Sequence, residues 1–134
     1  MRHDNLRDRT FTFAVATIKA IRPLINDPLG RHLVGQAIRS SAAVASNYRS
    51  ACHARSRPDF ASKVSIVAEE AAETSVWVRL FVALGLLSDS AAQPLVRESE
   101  ELTAIAVASA QTARKSAKLE VRSEKKCKVR SEKC

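Results

Sequence analysis

Apolar positions recur every three or four residues along this chain, and turn residues divide them into four helical stretches. From about Arg7 to Ile21 or slightly beyond, Phe11, Ala14, Val15, Ile18, Ile21 and Ile25 fall on one face, and Pro23 ends or bends the helix. A second helix opens at Asp27-Pro28. The Asp carboxylate can accept the free amides of the first turn, and Pro at the first helical position gives up no bond it would have made. This helix runs to about Arg55 with a seam of Val34, Ala37, Ser41, Val44, Tyr48 and Ala51, mostly small residues that let a neighbouring helix come close. Ser56-Arg57-Pro58-Asp59 reads as a stop and a restart, a capping box with Asp in place of the usual Glu. The third helix then continues to about Leu84, where Gly85 suits a left-handed cap.

Two parallel seams mark the third helix. One is Phe60, Val64, Val67, Ala71, Thr74, Val78 and Phe81; the other is Lys63, Ile66, Glu70, Glu73, Trp77, Leu80, Leu84 and Leu87. A helix with two seams touches two neighbours, as each helix of a bundle must. The fourth helix begins between Asp89 and Pro94 and carries Leu95, Leu102, Ile105, Ala106, Ser109 and Ala113. After about Lys118 the pattern dissolves, and Val121-Arg-Ser-Glu-Lys125 recurs as Val129-Arg-Ser-Glu-Lys133. Short connections make consecutive helices antiparallel neighbours. The expected fold is therefore all-α, an antiparallel up-down-up-down four-helix bundle over residues 1–118. Residues 119–134 form a basic, low-complexity tail, expected as frayed helix or disorder.

Composition supports this reading. Aromatics are 4% of the 134 residues and there are only 3 Gly, which favours helix over sheet. The net charge is +8, which brings anionic partners into view. Its distribution matters more than its size: residues 115–134 hold eight Lys/Arg and three Glu, a net of +5, and leave only +3 for the body. The three cysteines, Cys52, Cys127 and Cys134, form neither a disulfide framework nor a zinc motif. The polar first ten residues do not read as a signal peptide, and the apolar run Val76–Leu87 is broken by Arg79 and too short to span a bilayer. A cytoplasmic protein with reduced thiols and no membrane association is expected.

Glu70 and Glu73, set on an apolar seam, are the one pair of carboxylates suited to acid-base or metal chemistry. A di-iron bundle needs Glu-x-x-His on two helices, and none occurs; His3, His32 and His53 do not supply the ligands. If the second and third helices fold back around Arg57, position i opposes position 114 − i. Glu73 then faces Ser40 and Ser41, Glu70 lies near Val44 and Asn47, and Arg39 is within reach. A structural polar network of Ser40, Ser41, Asn47, Glu70 and Glu73 is the favoured account, because a buried carboxylate without partners is costly. No nucleophile motif, glycine-rich phosphate loop, cofactor site or small-molecule site is evident, and Cys52 is read as a small buried residue. Arg31 and Arg49 share one azimuth five turns apart, and Arg39, Arg55 and Arg57 add charge to the same segment. These five are the candidate phosphate contacts, weighed equally against a solvated surface. With so few aromatics, any nucleic-acid binding would be backbone-driven.

Gln36-Ala-Ile-Arg39-Ser-Ser and Ala45-Ser-Asn47-Tyr48-Arg49-Ser-Ala51 resemble the Q-x-x-R-S and A-N-Y-R-E-A signatures of bacterial four-helix bundle proteins, the 23S ribosomal-RNA intervening-sequence proteins. Ser56, Asp59-Phe60, Lys63, Glu70-Ala71, Glu73, Trp77, Leu84-Gly85-Leu86-Leu87 and Glu101-Leu102 extend the resemblance over about Arg9 to Lys115. Ser50 departs from the usual Glu and Val78 from a common Leu. The resemblance implies a closed bundle that forms ring-like homo-oligomers, often pentamers, with no established enzymatic activity. Some members of the family are encoded within ribosomal-RNA genes, and related basic bundles act as nucleic-acid-binding accessories to reverse transcriptases of diversity-generating retroelements. The expectation is thus a non-catalytic homo-oligomer associated with RNA or DNA. The alternatives are a protein-binding scaffold and, more weakly, a carboxylate enzyme or metal protein built on Glu70 and Glu73.

Overall fold

The computed structural model describes residues 3–132. Four helices, α1 (His3–Ile21), α2 (Pro28–Cys52), α3 (Arg57–Ala83) and α4 (Asp89–Glu132), account for nearly all of them, with a short 3-10 segment (Arg22–Asn26) between α1 and α2. Each helix packs on its chain neighbours and α4 closes back on α1, so the four form a bundle. Fourteen residues separate Ser65 from Arg79 on α3, and the same number separates their α4 partners Arg114 and Glu100 in the opposite direction. These two helices are therefore antiparallel. The α2–α3 pair is likewise antiparallel: Val34 and Ala37 share a core cluster with Phe81, while Tyr48 and Ala51 share one with Val64 and Ala68. No helix among the described residues is long and apolar enough to cross a membrane.

The helix ends follow from local chemistry. The Asp27 carboxylate accepts from the amides of Leu29 and Gly30, both at 2.9 Å, with Pro28 opening α2. Gly30 is needed there because a Cβ would collide with the Leu24 carbonyl. Ser56 Oγ accepts from the Asp59 amide at 3.1 Å, and Asp59 reaches back to the amide of Arg55, one residue beyond the usual capping-box partner. The bond from the Arg55 amide and then that from Lys63, at 3.1 Å, hold the Asp59 carboxyl below its ordinary pKa. At the far end of α3, Gly85 takes φ +74°, the Leu86 amide donates to Phe81 O and the Gly85 amide to Val82 O. That pattern is a Schellman close, available without strain to glycine.

Every position of the predicted α2 seam is buried. The first α3 seam is buried from Val64 to Phe81, with Phe60 half-buried. Two other expectations need correction. On α1 the predicted Ala14 and Ile21 are buried, but the core row is Leu6, Thr10, Phe13, Thr17 and Ile21, whereas Phe11 is 65%, Ile25 50% and Val15 36% exposed. Two buried threonines make the core row less apolar than the row beside it, so periodicity placed the face rotated from the core, overlapping it only at Ala14 and Ile21. Thr10 donates to Arg7 O, while Thr17 Oγ1 is buried with no hydrogen-bond partner among the described residues. On α3 the second seam is only half-covered, with Ile66 and Leu84 exposed. The second buried row is instead Ala61, Ala68 and Ser75, small side chains of which Ala68 shares a core cluster with Ala106 and Ala110 of α4.

The helix α4 begins at Asp89, with the Ser88 hydroxyl accepting from the Ala91 amide, and Pro94 lies inside it. The last buried residue is Ala113. Helix continues through Glu132, and from Lys118 onward every described residue is exposed. The break in the hydrophobic pattern marks the end of burial.

Candidate functional site

The central feature of the α2–α3 face is one arginine held by two carboxylates. Arg39 Nη1 donates to both Glu70 oxygens at 3.2 Å, and its Nη2 donates to Glu73 Oε1 at 2.6 Å. Trp77 Nε1 donates to the same Glu73 oxygen at 3.1 Å. The planar guanidinium presents a fork of donors that suits paired carboxylate acceptors. The bond from Arg39 holds the Glu73 carboxyl below its usual range, against the opposing effect of partial burial, and Glu73 and then Glu70 raise Arg39. Arg39 is thus a structural cation. Its charge is answered within the bundle, which sets it apart from Arg31, Arg49 and Arg55.

The anticipated network of Ser40, Ser41, Asn47, Glu70 and Glu73 divides into separate parts. Ser40 Oγ meets Thr74 Oγ1 at 2.8 Å in the fully buried α2–α3 seam, at a register of 114. Thr74 also donates to Glu70 O, so the pair links side chain to backbone where the helices touch. Ser41 donates to Ile38 O and Asn47 to Ala43 O, each on its own helix. Neither carboxylate bonds Ser40, Ser41 or Asn47; both turn to Arg39 at the half-exposed edge of the interface. Among the described residues no group of three or more His, Cys, Asp or Glu is placed to hold a metal ion.

The remaining candidate arginines lie at opposite ends of the bundle. Arg31 caps one end, its Nε donating to Ile25 O at 3.2 Å. About 27 Å further along α2, at eighteen residues of helical rise, stands Arg49, with Arg55 and Arg57 just beyond it. The antiparallel return of α1 brings Arg7 to the same end. A hollow of about 540 Å³ opens there, lined by Arg7, Cys52, Arg55, Arg57 and Phe60 among others. Cys52 is half-buried in its wall, less enclosed than expected, and Cys127 is exposed. Arg57 reaches Glu120 of α4 at 3.2 Å, whereas Arg7, Arg49 and Arg55 make no ion pair among the described residues. Sequence reasoning missed Arg7 because it belongs to the site only through packing. The signal available was that the start of the first helix and the end of the second must coincide in an antiparallel pair.

Several other cations of the body are matched. Arg9 bridges Glu98 at 2.8 Å and Glu101 at 3.2 Å across α1–α4. Partial burial would lower its pKa, but the two acids outweigh that and raise it. Arg79 pairs with Glu100, and Arg114 donates to Ser65 across α3–α4 at 2.8 Å. Lys19, Arg22 and Arg31 at the other end, and Arg97, also make no ion pair among the described residues, so unpaired cations stand at both ends of the body, with Arg7, Arg49 and Arg55 where α2 turns into α3 and α4 leaves the bundle.

Comparison with known proteins agrees with this architecture. No curated protein matches the chain in sequence. A solved structure from Bacteroides thetaiotaomicron VPI-5482, a protein with unknown function from the S23 ribosomal protein family, superposes with a TM-score of 0.72 at 26% identity, covering 77% of this chain and 95% of that one. The model of the family described as 23S rRNA-intervening sequence protein matches residues 5–108, which takes in the bundle and stops before the exposed part of α4. With that match over most of its length and the shared bundle, the chain belongs to the 23S rRNA-intervening sequence protein family.

Proposed function

We propose that the protein is a non-catalytic, homo-oligomeric accessory protein of the cytoplasm that binds the phosphate backbone of RNA or DNA. The observation that carries this reading is the gathering of unpaired cations, Arg7, Arg49 and Arg55, at one end of a chain of net charge +8. Phosphate-driven binding needs cations whose charge is not already answered within the protein. The names attached to the family and to the solved relative, intervening-sequence RNA and ribosomal protein, lean the same way. Self-association is supported by the apolar row left outside on α1, where Phe11 and Val15 stand beside half-exposed Ile18, with Ile25 and Leu29 exposed nearby. Catalysis is disfavoured by the engagement of Glu70 and Glu73, the two best-placed carboxylates, with Arg39.

Light-scattering mass of the full chain, alone and mixed with RNA or duplex DNA at low and moderate salt, tests the reading. The expected result is a closed oligomer whose complexes with nucleic acid weaken steeply as salt rises. An oligomer that ignores nucleic acid at low salt would replace this reading with that of a protein-binding scaffold, and a monomer would remove the assembly.

A further inference from the structure

We infer that the main phosphate-binding element is the solvent-facing side of the α4 extension, a projecting helical prong. This inference rests on the nucleic-acid reading above and names its site. The extension from Lys118 to Glu132 is fully exposed helix, about 22 Å long at 1.5 Å per residue.

From Lys115 to Lys126 its charges are segregated by side, although further on Glu132 falls beside the basic arc and Lys128 on the acidic side. At 100° per residue, Lys115, Lys118, Arg122, Lys125 and Lys126 fall within an arc of about 100°. Glu120 and Glu124 fall on the opposite side, in line with the core-facing row of Leu102, Ala106 and Ala113. The ion pair between Glu120 and Arg57 shows directly that the acidic side turns toward α3. The basic side therefore looks into solvent.

The spacing of the repeat also withholds internal neutralisation. A solvated helix is normally stabilised by acid and base three or four residues apart. None of the five cations has Glu or Asp at either spacing, and Lys118–Arg122 and Arg122–Lys126 are like-charged neighbours. None of the five makes an ion pair among the described residues. Such a row repels itself and is relieved by an external polyanion. From Lys115 to Lys126 it spans about 16 Å, which covers about five phosphates of one strand at 3.4 Å per nucleotide.

The composition of the extension selects the kind of polyanion surface. Leu119, Val121 and Val129 point in three different directions, so there is no apolar face to sink into a lipid surface. No aromatic residue lies beyond Phe81, which removes base stacking and leaves the sugar-phosphate backbone as the feature contacted.

Fluorescence-anisotropy titrations of the full chain against a single-stranded RNA and a duplex DNA, each over a salt series, test the inference. Five contacts give an expected slope of log affinity on log salt of about −4.5 for the duplex and about −3.5 for the single strand. The variant K115Q/K118Q/R122Q/K125Q/K126Q should lose on the order of 100-fold or more in affinity and most of that slope, with mass and melting unchanged. The variant R31Q/R49Q/R55Q should lose less than about 10-fold, since its arginines supply fewer and more scattered contacts. R122E/E124R keeps the net charge and moves an acid onto the basic side, so it should also bind weakly. The inference fails if the five-fold variant or R122E/E124R binds like the parent while the parent remains salt-sensitive, and the nucleic-acid reading then survives without it. Absence of parental binding to either nucleic acid at low salt overturns both. Stronger capture by anionic phospholipid vesicles than by nucleic acid at the same salt overturns the choice of polyanion.

Discussion

Within a single helix, α4 contains two regions that obey different physics. From Ala92 to Ala113 it returns to the core every three or four residues, through Leu95, Ser99, Leu102, Ala106 and Ala110. From Lys118 to Glu132 nothing covers it. In the first region side-chain volume decides what is tolerated. In the second, helix is sustained by propensity and by growth from a turn already formed, because an isolated helix of this length is marginal in water. Lys, Arg, Glu and Leu are adequate helix formers, and the bundle supplies the costly nucleus.

The sharpest way to break the comparison is to unseat the body. Phe81 is fully buried in a cluster with Ile21, Val34 and Ala37. Phe81→Ala should cost about 3–5 kcal/mol, measured by urea unfolding. Helicity of the extension should be lost in the same transition, since it depends on the body. A second transition at higher urea would show an autonomous extension.

Next in size is one substitution made in both regions. Ala106 is 5% exposed and shares a core cluster with Leu6, Phe13 and Leu102, so Ala106→Leu should overpack the core and cost about 1–3 kcal/mol. Ser123→Leu, seventeen residues on and fully outside, should change the unfolding midpoint by no more than about 0.5 kcal/mol. Equal effects would mean that the extension is buried against another surface in solution, and the mass of the assembly would identify it.

What the sequence discloses follows the same division. The α2 seam is legible because every position in it is apolar or small, and Val34 through Ala51 are buried as the three-four spacing requires. The α1 row is not, because Thr10 and Thr17 occupy core positions while Phe11 and Val15 stand outside. Periodicity measures relative hydrophobicity, and here two adjacent rows are nearly equal. The α2–α3 register is legible to within a turn, enough to bring Arg39 near Glu70 and Glu73. It could not choose between those acids meeting serine hydroxyls and meeting a guanidinium, a choice settled by charge at a half-exposed edge. Arg7 depends on tertiary return and has no local signal. The basic tail was visible as composition, but its facial segregation becomes meaningful only once the helix is known to continue.

A smaller effect sharpens the account of the α1 core row. Thr17 Oγ1 is buried without a partner among the described residues, so Thr17→Val removes an unsatisfied hydroxyl at nearly constant shape. Stability should rise by about 1 kcal/mol. A loss of similar size would show that the hydroxyl is satisfied in solution.

The Arg39 cluster should contribute less, and with a defined sign. Glu73 has its pKa lowered in the folded state, so its contribution is fully present above the ordinary carboxylate range and disappears as pH falls through the lowered value. With Glu73 37% exposed, the contribution should be under about 1 kcal/mol. Unfolding midpoints from pH 7 to pH 3 should fall less steeply for Glu73→Gln than for the parent. Parallel curves would mean that Arg39 does not hold Glu73 in solution.

The smallest expected change in stability comes from the most disruptive change to the extension. Val121→Pro removes the amide that would bond to residue 117 and drives the proline ring against that carbonyl, which breaks a helix interior. In the body such a lesion would cost about 3 kcal/mol. At position 121 it lies eight residues past the last buried side chain, so no core contact depends on it. The unfolding midpoint should stay within about 0.5 kcal/mol of the parent. Helix beyond the break must then nucleate alone over a dozen residues, which it does poorly, so about a tenth of the helical circular-dichroism signal should vanish. Nucleic-acid affinity should fall with it, because Lys125 and Lys126 no longer share a side with Lys115 and Lys118. Lost ellipticity with retained affinity would mean that the basic residues act as a flexible charged chain, and only the alignment of their charges along one rigid side would then be refuted.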